Sequence, residues 1–236
     1  MGWNRCHLRV FIVTLFFSPA VNLFAKKPIF EMLLRRFHLT HHLAEWPWWF
    51  AVLGLLVVGV CEEGIKAVPT IFPSVRDAVR CRGSAVPMAA TIGLGFALGE
   101  IWYVAYRIYQ SDPATARLPF YLLGGFIGER ILTIVLHSFF ILPALHGLLV
   151  GWRQFFLGLA AGMLLHALAD SVAALYQMKL IGPELASALV LAITIGAAIP
   201  FYKYLRRRGA LNRSALLSTS SRILYVRGKE DSQPQK

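Results

Sequence analysis

Residues 46–66 read WPWWFAVLGLLVVGVCEEGIK, and the fold turns on this stretch. From Trp46 to Cys61 no side chain is charged; Glu62, Glu63 and Lys66 then follow within one and a half helical turns. A helix that is apolar all round is either deeply buried or surrounded by lipid. Roughly 20 such residues suffice to cross the ~30 Å hydrocarbon core of a bilayer. Working outward, five further stretches have the same character. They run from Leu8 to Phe24, from Ala85 to Tyr106, within Phe120 to Val150, within Phe155 to Tyr176, and within Pro183 to Tyr202. The expected fold is therefore all-α: a polytopic transmembrane helical bundle of about six spans. Composition agrees, because 57% of the 236 residues are hydrophobic and only 15% are charged. Soluble domains carry about 45–50% apolar and about 25% charged residues.

The formal net charge of +12 comes from 24 Lys and Arg against 12 Asp and Glu, most of them in loops and in the C-terminal tail. That is the pattern of a membrane protein obeying the positive-inside rule, and it argues against nucleic acid as a partner. The lipid bilayer is the partner it favours. Segments placed inside by cytoplasmic termini are richer in Lys and Arg than those placed outside, despite Lys26, Lys27, Arg35 and Arg36 in the first outer segment. The cysteines Cys6, Cys61 and Cys81 show no paired spacing of a zinc or redox motif.

Three segments are expected. Residues 1–45 hold an N-terminal span and a basic, interrupted stretch from Lys26 to Glu45 that would lie along the membrane surface. The short apolar run before Ser18-Pro19-Ala20 has features of a cleavable signal, with a retained helix as the favoured reading. Residues 46–204 form a membrane-embedded core. Residues 205–236, with Arg206, Arg207 and Arg208, form a basic disordered cytoplasmic tail.

A charge at the centre of a membrane helix costs about 2.5–3.5 kcal/mol on insertion scales, so polar residues inside spans point to pairing or function. Lys66 follows Glu63 by three residues and Glu62 by four, which brings ammonium and carboxylate to one helix face. The plainer alternative is a span end solvated among headgroups. Glu100 lies deep in the third span, with Tyr103 three residues on as a candidate hydrogen-bond partner; Glu100 could equally serve only to neutralise Arg130. Arg130 and His137 share a face of the fourth span, and a single His on an apolar helix is often a packing residue. His166 and Asp170 stand one turn apart in the fifth span, as a structural pair, an oriented imidazole or metal ligands. His146 and Asp112 read as ordinary. Four helices thus carry acids and histidines that could converge on one polar site.

Their order goes further. Glu62-Glu63-Gly64-Ile65-Lys66 matches EExxK, Phe96-Ala97-Leu98-Gly99-Glu100 matches FxxxE, and His166-Ala167-Leu168-Ala169-Asp170 matches HxxxD, with Arg130 and His137 between the last two. The set resembles the PrsW family of intramembrane proteases. That family is related to CPBP membrane proteins and to CAAX prenyl endopeptidases with EExxxR, FxxxH and HxxxN-type motifs. The resemblance covers the chain from about Trp46 to Tyr204.

The resemblance implies an intramembrane endopeptidase that cleaves a membrane-anchored protein, of the anti-sigma-factor-like class, by glutamate-activated water. Glu62, Glu63, Glu100, His137, His166 and Asp170 would be catalytic, with Lys66, Phe96, Tyr103 and Arg130 in support. No cofactor is the favoured expectation, because no HExxH is present. Zinc is the alternative, and His137, His166, Glu63 and Glu100 would hold it. The expected location is a bacterial cytoplasmic membrane. A different function class remains open on residues alone: a non-enzymatic transporter or scaffold using the same buried cluster. Inverted repeats, frequent in transporters, are not seen.

Overall fold

The computed structural model describes residues 5–81, 85–111, 124–182 and 184–199, together with 202 and 206. All described elements are helical. They are α1 (Arg5–Val21), α2 (Lys27–Phe37), α3 (Trp48–Ala67), α4 (Pro73–Cys81), α5 (Val86–Ser111), α6 (Gly124–Leu148), α7 (Trp152–Gln177) and the shorter α8 (Glu184–Ile199). The chain divides into a unit Met1–Thr194, which contains the whole site described below, and a unit Ile195–Lys236.

Among the described residues four helical runs are long and apolar enough to cross a membrane: Arg5–Phe37, Val86–Arg107, Arg130–Leu148 and Trp152–Gln177. The sequence led to an expectation of about six. Two of the expected spans fall outside the set of four. The 20-residue α3 carries Glu62, Glu63 and Lys66 at its end, and α8 is described from Glu184 to Ile199.

The N-terminal region also differs from expectation. The stretch beginning at Lys26 does not break the helix; the helical run continues through a five-residue π segment, Asn22–Lys26, into α2. Pro28 explains how. It follows directly on the π segment, where the hydrogen-bond ladder shifts register and Lys27 N–H already reaches back to the Asn22 carbonyl. The widened π turn before it relieves the clash that a proline ring makes with an upstream carbonyl. Asn22 is buried, and its Nδ2 donates to the Ser18 carbonyl at 2.9 Å, satisfying an acceptor at the widened turn. The helix stops at His38, which is in the left-handed conformation.

Packing proceeds from α1 to α5, from α5 to α6, from α6 to α7 and from α7 to α3. The apolar core gathers at one end of this bundle. Val75 and Val79 of the amphipathic α4 join Ala67, Met88, Ile92, Ile141, Leu145, Leu148 and Phe155 there. Two glycines draw the helices together beside the acids. A Cβ at Gly59 of α3 would lie 2.6 Å from the Met163 carbonyl oxygen of α7, and one at Gly162 of α7 would collide with the Phe140 carbonyl of α6. In lipid, such small-residue contacts carry helix association, because lipid tails are as apolar as the side chains they would displace. Gly93 and Gly158 meet α6 and Gly95 and Gly99 meet α1 in the same way, each with no room for a Cβ.

Candidate active site

The last turn and a half of α3 points three charged side chains inward. Glu63 and Lys66 are fully buried, and Glu62 is 2% exposed. Glu63 Oε1 accepts from Lys66 Nζ at 2.5 Å and from His166 Nδ1 on α7 at 2.7 Å. Lys66 Nζ also contacts His137 Nδ1 on α6 at 2.7 Å. An ammonium can only donate, so His137 Nδ1 accepts and its Nε2 carries the proton. That proton goes to Glu100 Oε2 on α5, with nitrogen and oxygen 2.7 Å apart. The other oxygen of Glu100 faces Arg130 at 3.5 Å. Phe96, fully buried, lies under Lys66 with the ammonium 4.6 Å from its ring centre, a cation–π contact that the FxxxE spacing supplies.

The Glu62 side is arranged differently. Its Oε1 accepts from Lys26 Nζ at 2.5 Å, across 36 residues of chain. Its Oε2 makes no hydrogen bond and lies 3.5 Å from His166 Nε2. That imidazole nitrogen is also 3.4 Å from Asp170 Oδ2, one turn along α7. Phe140 stacks on the His166 ring at 4.9 Å between centres. Glu62, Glu100, Arg130, His137, His166 and Asp170 line a cavity of about 490 Å³. Glu63 does not line it.

Among these residues four carboxylates (Glu62, Glu63, Glu100, Asp170) face three permanent cations (Lys26, Lys66, Arg130). The cluster therefore has room for one more positive charge, a proton or a metal ion. Burying ions costs several kcal/mol each unless their lone pairs and protons are matched. The shared contacts at Glu63 Oε1 and His137 provide part of that matching, while Oε2 of Glu62 and of Glu63 make no hydrogen bond.

Nine of the ten residues expected from sequence meet in one network or in direct packing against it. Tyr103 is the exception. It lines a neighbouring cavity with Asn22, Lys27, Glu31 and Arg107. His146 is exposed near the end of α6, and Asp112 lies outside the described residues. Sequence reasoning missed two participants. Lys26 was placed in an outer surface segment, and a π turn has no fixed phase from which to read its direction. Phe140 follows His137 by three residues, so helical spacing did put it on the same face.

A family profile described as "PrsW family intramembrane metalloprotease" matches residues 4–199. The chain belongs to the PrsW family. It is an integral membrane protein and a protease of the intramembrane class. The match is broader than the motif-based resemblance, taking in the N-terminal helix that carries Lys26. No curated protein and no solved structure matches the chain.

The family description raises the question of a metal. Among the described residues one group has suitable donors: Glu62, His137 and His166, with ligand atoms all within 4.8 Å of one another. The donor types fit a zinc-class cation. Glu62 Oε2 is an unpartnered buried oxygen, and His166 already has its Nδ1 fixed by Glu63, as ligating histidines usually do. His137 is the tight point, since both its nitrogens are engaged and ligation needs one to exchange its partner. In this geometric set Glu62 takes the place expected for Glu63 and Glu100.

Proposed function

We propose that this PrsW-family protein cuts a membrane-anchored protein in the cavity beside Glu62, with Glu62 as the base that activates water. One observation carries the assignment. Glu62 lines the cavity, with one oxygen held by Lys26 and the other buried without a hydrogen bond. Glu63 has one oxygen committed to Lys66 and His166 and the other buried without a hydrogen bond, and it does not line the cavity.

The α3 face from Ala51 to Glu62 covers roughly 16 Å of the cavity at ~1.5 Å per residue. An extended peptide at ~3.3 Å per residue would place about five residues along it. Water beside Oε2 gives a proton to Glu62 while its oxygen attacks the scissile carbonyl carbon. The developing oxyanion is stabilised from His166 Nε2, the imidazole nitrogen that faces the cavity. Removing one such donor costs about 2.7–4 kcal/mol in studied enzymes. The proton on Glu62 then passes to the leaving amide nitrogen as the C–N bond breaks. Glu63 orients His166, and Lys66 ties Glu63 to His137, which in turn holds Glu100. A zinc-class cation held by Glu62, His137 and His166 would supply Lewis-acid polarisation of the carbonyl and an acidified water.

The substrate class we assign is a membrane-anchored regulator of the anti-sigma-factor type. It rests on the family, whose members act on proteins in a bilayer. We place the protein in a bacterial cytoplasmic membrane with residues 205–236 as a cytoplasmic tail, on the strength of Arg206, Arg207, Arg208 and Arg213.

The test compares N-termini of membrane proteins in cells carrying the wild type or Glu62→Gln/Glu63→Gln at matched expression. New N-termini in or beside spans, present only with the wild type, are the expected result. Identical sets, with both proteins inserted and the wild type expressed to excess, would remove support for a peptidase in those cells.

A further inference from the structure

We propose that Lys26 is a positioning residue of the peptidase reaction: it holds Glu62 beside the cavity with one carboxylate oxygen left without a hydrogen bond. The inference deepens the assignment of Glu62 as the base and rests on it. Lys26 lies on the N-terminal helix, outside the EExxK, FxxxE and HxxxD motifs, yet its Nζ reaches Glu62 Oε1 at 2.5 Å. Its side chain is only 17% exposed. It lines both the acidic cavity and the neighbouring one, so it forms part of the wall between them.

The geometry has a purpose because the last torsion of a glutamate is soft. Rotation about the bond to the carboxylate is broad and roughly two-fold, so packing alone does not fix which oxygen faces the water. An ammonium on Oε1 fixes it. Oε2 is then left without a hydrogen bond, 3.5 Å from Nε2 of His166, which lines the cavity with Glu62. The π segment is what delivers the ammonium. Each residue turns a helix by about 100°, so one extra residue in a widened turn re-aims everything after it. Lys26 is the last residue of that segment, Asn22 its first, with the Asn22–Ser18 bond closing the widened turn. π turns of this kind recur at functional sites.

The experiment uses the full-length protein in lipid and a quenched-fluorescent decapeptide spanning the cut site found by the N-terminus comparison. Wild type, Glu62→Gln, Lys26→Met, Lys26→Gln and Lys26→Arg are compared for kcat and KM, with thermal unfolding as a fold control. Loss of positioning is expected to lower kcat on the order of 10²-fold in Lys26→Met, with KM nearly unchanged. Lys26→Arg, which keeps a cationic donor, should recover most of that loss. Wild-type kcat in Lys26→Met beside an inactive Glu62→Gln would overturn the role of Lys26 and leave the base assignment standing. An active Glu62→Gln would overturn both. A raised KM with kcat preserved would put Lys26 in substrate binding and so overturn positioning. Failure of both the Met and Gln variants to fold would assign Lys26 to the fold and overturn it equally.

Discussion

On the Glu63 side of the cluster each cationic or imidazole group has a short contact: Lys66 to Glu63 and His137, His137 to Glu100, and His166 to Glu63. On the Glu62 side the contacts are sparser: Oε1 accepts from Lys26, Oε2 makes no hydrogen bond, and the residue lines the cavity. The two acids are adjacent in sequence, both on the inner face of one helix and both nearly inaccessible. What separates them is which neighbouring helix each one meets. Glu63 meets Lys66 and α7 and is consumed by the structure, whereas Glu62 meets the N-terminal helix and a cavity. A closed ion network stabilises a position, and an open one can accept a proton and return it.

The sharpest way to break this contrast is to neutralise each acid alone. Glu62→Gln is expected to cut the rate by about 10²–10⁴-fold, the range for loss of a general base, with a smaller loss in thermal unfolding than Glu63→Gln, because the Lys26 it leaves behind is partly exposed. Glu63→Gln is expected to act on both readouts, because removing one partner of a buried ion pair costs about 3–5 kcal/mol. Activity and unfolding temperature measured on the same preparations decide it. If Glu63→Gln unfolds like the wild type and Glu62→Gln does not, the two roles are exchanged.

Lys66→Met sharpens the closed side. It leaves Glu63 and His137 without their shared donor and is expected to destabilise by about 3–5 kcal/mol. Adding Glu63→Leu should recover part of that loss, since an apolar pair tolerates burial better than a single charge. Additive losses in denaturation would mean that the two residues are not coupled as their 2.5 Å contact implies.

Much of this was legible in the sequence, for a definite reason. EExxK, FxxxE and HxxxD each put their end residues on one helix face, and faces that are costly in lipid must find each other. The meeting of α3, α5, α6 and α7 follows. What spacing could not supply was the partner across helices. His166 and Asp170 are related by one turn, as read, but the shortest contact of His166 is to Glu63 on another helix, 103 residues away. Nor could it separate Glu62 from Glu63, since both follow the same apolar run. Lys26 was hidden because a π turn breaks the 3.6-residue phase from which direction is read. Of the about six spans expected, four meet the length and hydropathy of a span among the described residues.

The next contrast concerns metal. Treatment with a chelator is expected to leave the rate unchanged, because His137, the third donor, has both nitrogens engaged on the closed side. Metal content by mass spectrometry and the rate before and after zinc addition check this. A rate lost on chelation and restored by zinc would turn Glu62 from base into ligand and open the closed side at His137.

A smaller effect tests how the two sides are held together. Gly162→Ala places a methyl against the Phe140 carbonyl. Overpacking of this kind typically costs about 1–3 kcal/mol. It also pushes α7, and so His166, away from α6. Lower kcat with nearly normal unfolding would show that the distance matters to the chemistry more than to the fold. The same substitution at Gly196, where nothing lies within 4 Å, is the control.

The smallest effect expected is at Tyr103. Spacing alone puts it one turn from Glu100, and it would then serve as a hydrogen-bond partner within the site. The structure gives Glu100 to His137 and Arg130 instead, and sets Tyr103 in the neighbouring cavity with Lys27, Glu31 and Arg107. Tyr103→Phe removes only a hydroxyl from that second cavity, so kcat and KM on the decapeptide should both match the wild type. A fall in kcat would extend the reacting site through the wall that Lys26 forms. A rise in KM alone would make the second cavity part of the path of the bound peptide, and the contrast between an open and a closed side would then need a third region.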